Sequence, residues 1–145
     1  MLIRPMQETD FVPLMDLVID FAEESLSAYG TLLEEGQLYE TFIMTKDTSF
    51  VLLVKDKVVG VLAGRIVHDF CSSELVYEEV IWYTGKEYRK DGLRLLSFVE
   101  QWCKDKGIRR MTMCHMGNLK TDKLSRLYER LGYVPIETRY IKEIN

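Results

Sequence analysis

"EEVIWYTGKEYRKDGLRLL", Glu78 to Leu96, decides how this chain is read. A β-branched and aromatic run stops at Gly85, a leucine-rich helical stripe begins after Gly92, and Arg89, Lys90 and Asp91 stand between them. A helix starting near Asp91 presents first-turn N–H groups without helical partners and the positive end of its macrodipole. Gly92 allows a ligand close to the backbone, and Arg89 and Lys90 add positive charge, so the stretch suits an anion such as a phosphate. A solvated turn capped by Asp91 or Gly92 has the same composition, and this stretch alone leaves both readings open.

Outward from it, the pattern predicts one mixed sheet. "LIRP", Leu2 to Pro5, is a short strand that the proline ends. Thr9 or Asp10 then caps a helix with Phe11, Leu14, Leu17, Val18 and Phe21 on one face. A weaker helix is expected over Leu32 to Met44, after the break at Gly30. "SFVLLVKDKVVGVLAGRIV" reads as a hairpin turning at Lys55 to Lys57, and Glu74 to Gly85 as the next strand. The stripe of Leu93, Leu96, Val99 and Cys103 is a helix ended by Gly107. "RRMTMCHM" follows as a strand, then a helix capped by Thr121 and closed by Gly132, and "YVPIETRYIKEI" as a last strand or bent pair. The order is β-α-α-β-β-β-α-β-α-β, with helices on both faces. The passage from Glu74 to Met116 requires a right-handed crossover between parallel strands.

Composition narrows the function classes. With 145 residues, 47% hydrophobic and 29% charged, the chain has the size and core of a single domain over residues 1–145. Its net charge of -4 speaks against a general nucleic-acid binder. Cys71, Cys103 and Cys114 form no CxxC pair and leave one over, so neither a disulfide framework nor a zinc cluster is expected, and no metal. The N-terminus lacks the build of a signal peptide and no apolar run reaches bilayer length, which predicts a soluble cytoplasmic protein without a membrane partner. His68 and His115 have no partners at metal-ligand spacing, and Met111, Met113 and Met116 read as core filler.

The stretch that opens this section resembles the acetyl-CoA-binding segment of the GNAT superfamily (GCN5-related N-acetyltransferases), in which a strand leads into [QR]-x-x-G-x-[GA] at a helix start. Arg89 and Gly92 match that pattern, while Arg94 stands where the family has a small residue and Asp91 puts a carboxylate beside the expected diphosphate. "LYERLGY", Leu127 to Tyr133, is similar to the family's tyrosine-bearing helix followed by Leu-Gly-aromatic, and "IRPMQETDF" to its opening strand and helix entry. The resemblance implies a mostly antiparallel sheet with one splayed parallel pair, and acetyl-CoA as co-substrate.

It also implies direct transfer of an acetyl group to a primary amine. The acceptor amine, with a pKa around 10.4, must lose a proton, and a glutamate in the strand before the phosphate loop takes it in many relatives. Glu78 and Glu79 occupy that strand; alternation lets only one face the cleft unless a bulge intervenes. Glu78 is favoured by its spacing from Arg89, with Glu79 as the substitute. Tyr128 matches the general acid for the departing thiolate. Trp82, Tyr83 and Thr84 stand where the thioester is held, and Arg89, Lys90, Asp91, Gly92, Leu93 and Arg94 where the diphosphate lies. Thr121 holds, by spacing, the place of a pantetheine-contacting asparagine, with Asn118 further upstream, and neither is assigned. Acids at Glu23, Glu24, Glu34 and Glu35 suit a cationic acceptor such as a polyamine, an aminoglycoside-like amine or a lysine side chain. Relatives often form homodimers. The alternative expectation is the same fold used as an acyl-CoA sensor or structural protein without turnover. An unrelated α/β module would instead require a sheet that is not splayed beside Thr84.

Overall fold

The computed structural model describes residues 1–26, 33–115 and 121–144, the Thr121 side chain excepted. Its sheet runs β1 (Leu2–Pro5), β2 (Phe50–Val54), β3 (Lys57–His68), β4 (Leu75–Thr84), β5 (Arg110–Thr112), in that spatial order. Neighbours are antiparallel except β4 and β5, which are parallel and joined by the α3 crossover (Gly92–Asp105). The β2–β3 turn is two residues long, and Lys55 and Asp56 both take positive φ (50° and 62°). That pair matches the right-handed twist of the flanking strands. Helix α1 (Phe11–Ser25) starts after Asp10, one of the two caps read from the sequence, and follows a 3-10 turn over Glu8–Asp10. There the buried Asp10 carboxylate accepts from the Gln7 N–H at 2.7 Å and from both Arg4 terminal nitrogens at 2.7 and 2.9 Å, fastening β1 to α1.

The central strands are buried on both faces. Leu14, Leu17 and Phe42, from α1 and α2 (Glu35–Thr45), pack on Val51, Leu53, Val61, Ala63 and Tyr83. On the opposite face Leu95, Leu96, Val99 and Cys103 of α3 pack on Phe50, Leu52, Leu62 and Tyr77. These are the helices-on-both-faces and the parallel pair that the pattern predicted. Helix α3 ends as read: Gly107 takes φ +76°, and Ile108 N–H reaches back to the Cys103 carbonyl at 2.9 Å. Helix α4 (Thr121–Arg130) ends likewise at Gly132, φ +91°, with Tyr133 N–H on the Tyr128 carbonyl. No helix among the described residues is long and apolar enough to cross a membrane.

Three expectations are corrected. Helix α2 begins at Glu35, not Leu32, which lies outside the described residues. The strand read over "RRMTMCHM" pairs only at Arg110–Thr112; of its remainder, Met113–His115 leave the ladder and Met116 lies outside the described residues. Tyr133–Ile144 form no strand: Val134, Ile136, Tyr140 and Ile144 stand exposed in irregular backbone. Pro135 has no N–H to give a ladder, and the three-residue β5 offers little edge to extend.

The sheet's decisive irregularity is in β4. Ala63 pairs with Ile81 and the next residue, Gly64, pairs with Glu79, so Val80 is an extra residue on β4. The Tyr77 side chain lies under Gly64, fully buried, its hydroxyl donating to the Thr48 carbonyl at 2.7 Å. A Cβ on Gly64 would stand 2.5 Å from Tyr77 Cζ and 2.6 Å from its hydroxyl. Gly64→Ala should therefore lower stability by about 1–3 kcal/mol, the range for overpacking a well-packed core. Chemical denaturation checks this, and an unchanged midpoint would remove the steric account of that glycine.

Candidate active site

The β4–β5 pair ends early. Its register runs Val76 to Arg110, Tyr77 to Met111 and Glu78 to Thr112, and stops there. β4 continues through the bulge to Thr84 while Met113–Cys114 depart, so the parallel pair opens just past Glu78. The unrelated module that needed an unsplayed sheet is thereby set aside.

Glu79 bridges that opening. It is only 9% exposed. Its Oε2 accepts from the Cys114 main-chain N–H at 3.3 Å and from the Cys114 thiol at 2.8 Å, and the Trp82 main-chain N–H faces the same carboxylate. Burial raises its pKa to about 7, and these three donors only partly offset the rise. Glu78, one residue before, has a different setting. Its Oε1 takes two bonds from Arg65, at 3.0 and 2.6 Å, on an exposed part of the β3–β4 ladder. The bulge, which the sequence reading allowed for without locating it, separates the two glutamates into a buried gap and a solvated ion pair.

Tyr128, on α4, faces the same gap. It is buried, with its ring 6.0 Å from that of Trp82 and 5.5 Å from that of Tyr133, and its hydroxyl donates to the Cys114 carbonyl at 2.8 Å. Burial, then the Glu79 charge, pushes the phenol above its ordinary value, so it stays protonated and acts as a donor. Trp82 lies on the α3 side of the sheet, whereas Tyr83 lies on the α1 side, its hydroxyl donating to Glu24 Oε2 at 2.9 Å. Thr84 is buried, and its Oγ1 has no partner among the described residues.

The expected phosphate loop folds as a 3-10 helix, Lys86–Asp91, that runs directly into α3. The sequence reading saw only a turn there, because a 3-10 segment has no apolar period of its own. Gly92 takes ordinary helical dihedrals, with φ -58°, and its N–H already donates to the Arg89 carbonyl. Its lack of a side chain has a packing cause: a Cβ there would meet Thr84 Oγ1 at 3.0 Å, so glycine lets α3 start against the end of β4. Arg89 does not stand free. Its Nη2 donates to both Glu24 oxygens, at 2.7 and 2.9 Å, and its guanidinium lies over the Tyr83 ring, 5.7 Å from the centroid. This link from α1 to the loop joins residues 65 apart in sequence, so no local pattern discloses it. Asp91 faces Arg94 at 3.9 Å. Lys86, Lys90, Leu93 and Arg94 are exposed around the start of α3.

Cys114 and His115 were not assigned a role from sequence. His115 Nε2 is 3.2 Å from Ser125 Oγ of α4, tying the segment after β5 to that helix. Asn118 lies outside the described residues, as does the Thr121 side chain. Among the described residues no cluster of three or more His, Cys, Asp or Glu is placed to hold a metal ion. Two concavities of the described surface lie along α4 and beside the end of α3, lined by residues other than those of the opening.

Two main-chain N–H groups from diverging strands, those of Trp82 and Cys114, face one carboxylate in the opening.

Comparison with known proteins agrees with this geometry. Residues 13–133 match the model of the Acetyltransferase (GNAT) family. No match was found in a search of the curated proteins. Among solved structures, one described as a probable acetyltransferase superposes with TM-score 0.75 at 16% identity, covering 100% of this chain and 99% of that one. The ribosomal-protein-alanine N-acetyltransferase from Brucella melitensis biovar Abortus 2308 gives 0.75 at 11% identity, covering 99% and 100%. The aminoglycoside N-acetyltransferase AAC(6')-Iy in complex with CoA gives 0.69 at 19% identity, covering 99% and 98%. With the splayed β4–β5 pair, the tyrosine helix and a family match over most of the sequence all in place, the chain belongs to the GNAT family of acetyltransferases.

Proposed function

We propose that this protein, acting as one domain, transfers the acetyl group of acetyl-CoA directly to a primary amine, with Glu79 as the proton acceptor and Tyr128 as the donor to the departing sulfur. The observation that carries the reading is the Glu79 carboxylate, buried in the opening between β4 and β5 with no cation among its partners in the described residues, and pushed up by burial to about 7. A carboxylate in that range is half ionised at neutral pH and basic enough to take a proton from an attacking amine. Glu78, which spacing favours, is instead held by Arg65 on an exposed part of the β3–β4 ladder.

Acetyl-CoA would supply the thioester. Trp82, Thr84 and Cys114 line the opening in which its arm would lie, and Lys86, Lys90 and Arg94 surround the start of α3, where they would meet the diphosphate. As the C–N bond forms and the C–S bond breaks, Glu79 takes the amine proton and Tyr128 gives a proton to the sulfur, exchanging its present bond to the Cys114 carbonyl for one to the leaving group. A phenol less acidic than a thiol acts first as a hydrogen-bond donor and completes proton transfer only when the thiolate has formed. Of the acids expected to attract a cationic acceptor, Glu24 is engaged by Arg89 and Tyr83, while Glu34 and Glu35 stand exposed at the start of α2. The names of the structural neighbours extend the acceptor panel to aminoglycosides and peptides with an N-terminal alanine, beside polyamines and lysine peptides.

Thiol release from acetyl-CoA, measured against that panel, is the direct assay. Glu79→Gln should lower kcat/KM about 100-fold or more, and Tyr128→Phe about 10- to 100-fold, with Glu78→Gln within a few-fold of the parent. The parent rate should rise with pH through about 7, as Glu79 loses its proton. A Glu78→Gln loss exceeding that of Glu79→Gln would move the base to Glu78. Turnover with no amine of the panel, despite acetyl-CoA binding, would favour a sensor.

Burial of Glu79 also makes a stability prediction. Its folded pKa lies above the unfolded value of 4.5, so its contribution is fully present below pH 4.5 and is lost as the pH rises towards 7. Relative to Glu79→Gln, the parent should therefore lose stability between those pH values, by up to about 3 kcal/mol. Denaturation midpoints at pH 5 and pH 8 measure it, and a difference independent of pH would contradict the raised pKa.

A further inference from the structure

Between the two groups just assigned lies a residue that the mechanism leaves without a task. Cys114 sits two positions beyond the last paired residue of β5, where that strand leaves β4. All three of its polar groups face the site. Its N–H and its thiol donate to the same Glu79 oxygen, at 3.3 and 2.8 Å, and its carbonyl accepts the Tyr128 hydroxyl at 2.8 Å. The neighbouring His115–Ser125 contact ties this segment to α4, the helix that carries Tyr128.

We infer that Cys114 is a positioning residue for proton transfer, its thiol holding the Glu79 carboxylate and its carbonyl holding the Tyr128 hydroxyl on one main-chain unit. The inference rests on the assignment of Glu79 and Tyr128 above. Its physical basis is the kind of donor used. A buried carboxylate needs hydrogen bonds to keep one orientation, but an arginine or lysine would hold it ionised and too weakly basic to take a proton. A thiol is a weak neutral donor, so it orients the carboxylate while leaving its basicity close to what burial sets.

The surroundings agree. The groups that face Glu79 are Tyr77 from its own strand, Cys114 from the segment after β5 and Tyr128 from α4, all neutral hydrogen-bearing groups, with Glu78 and Arg139 acting on Cys114 from further away. Cys114 is exposed as a residue, but the protein packed around its sulfur and then the Glu79 charge push the thiol up to about 12. Such a thiol remains a donor and is a poor nucleophile, so an acyl-enzyme on Cys114 is not part of the scheme.

The test compares the parent with Cys114→Ala and Cys114→Ser in two measurements. One is the pH profile of kcat and of kcat/KM with acetyl-CoA and an accepted amine. The other is the titration of Glu79 in the free protein, followed by NMR with carbon-13-labelled glutamate. Cys114→Ala should raise the Glu79 midpoint and the acidic limb of the profile by about one pH unit and lower kcat about tenfold at pH 7, with KM for acetyl-CoA within about twofold. Cys114→Ser, a stronger donor, should move the midpoint and the limb in the opposite direction and retain most of kcat. This opposite shift tests the idea even if the alanine variant folds poorly. A Glu79 midpoint that stays put in both variants overturns the inference. Absence of turnover in the parent would instead overturn the acetyltransfer reading, while the Glu79 titration would still decide whether the thiol holds the carboxylate.

Discussion

One extra residue in β4, Val80, is the constraint on which the rest of the molecule depends. Before it, Tyr77 lies on the α3 side of the sheet; after it, Trp82 lies on that side, while Ile81 and Tyr83 face α1. Strict alternation would put Tyr77, Ile81 and Tyr83 on one side, so the bulge shifts the side-chain frame by one. Bulges also bend a strand and increase its twist. β5 stays beside β4 only up to Glu78, the last position at which the original frame holds on both sides of the pair. The opening, the burial of Glu79 within it and the approach of α4 with Tyr128 are consequences of that one insertion.

The electrostatics follow from the same geometry. On the solvent side of the bulge Glu78 meets a guanidinium across the ladder, an exposed pair of the kind that contributes little to stability. In the opening, Glu79 meets neutral donors among the described residues, and desolvation outweighs them. At the far end of β4, Glu24 gathers Arg89 and Tyr83 and so fastens α1 to the 3-10 turn ahead of α3. Desolvation opposes ionisation of Glu24, yet Arg89 and Tyr83 together hold its carboxyl below the usual range. Two carboxylates near one cleft thus carry opposite perturbations. One is held below the carboxylate range by its partners, and the other is raised above it by burial.

Much of this was legible in the residues. Period-2 and period-3.6 apolar spacing located the hairpin, the crossover helix α3 and both glycine-capped helix ends, and the order of the motifs located the family. The site was legible only in part. "YEEVIWYT" contains both glutamates, but a bulge is a relation between two strands, and nothing local to β4 says that Gly64 lets Tyr77 lie beneath it and skips Val80. Arg89 could be named but not placed, since its partner is on another helix. Cys114 read as an ordinary strand residue, because its contacts with Glu79 and Tyr128 arise from where β5 stops. The irregular C-terminal segment was read as a strand from its alternating apolar residues, a pattern that needs a neighbouring edge to become one.

The opening itself admits a direct test. Amide resonances of the isotope-labelled protein should be followed as acetyl-CoA is added to saturation. If the gap past Val80 receives the coenzyme's arm, the Trp82 and Cys114 amides, which face Glu79, should shift strongly, together with those of the turn from Lys86 to Arg94. The Tyr77 and Met111 amides, inside the paired part of β4 and β5, should move little. Trp82 and Cys114 amides that stay unmoved at saturating coenzyme would contradict the account.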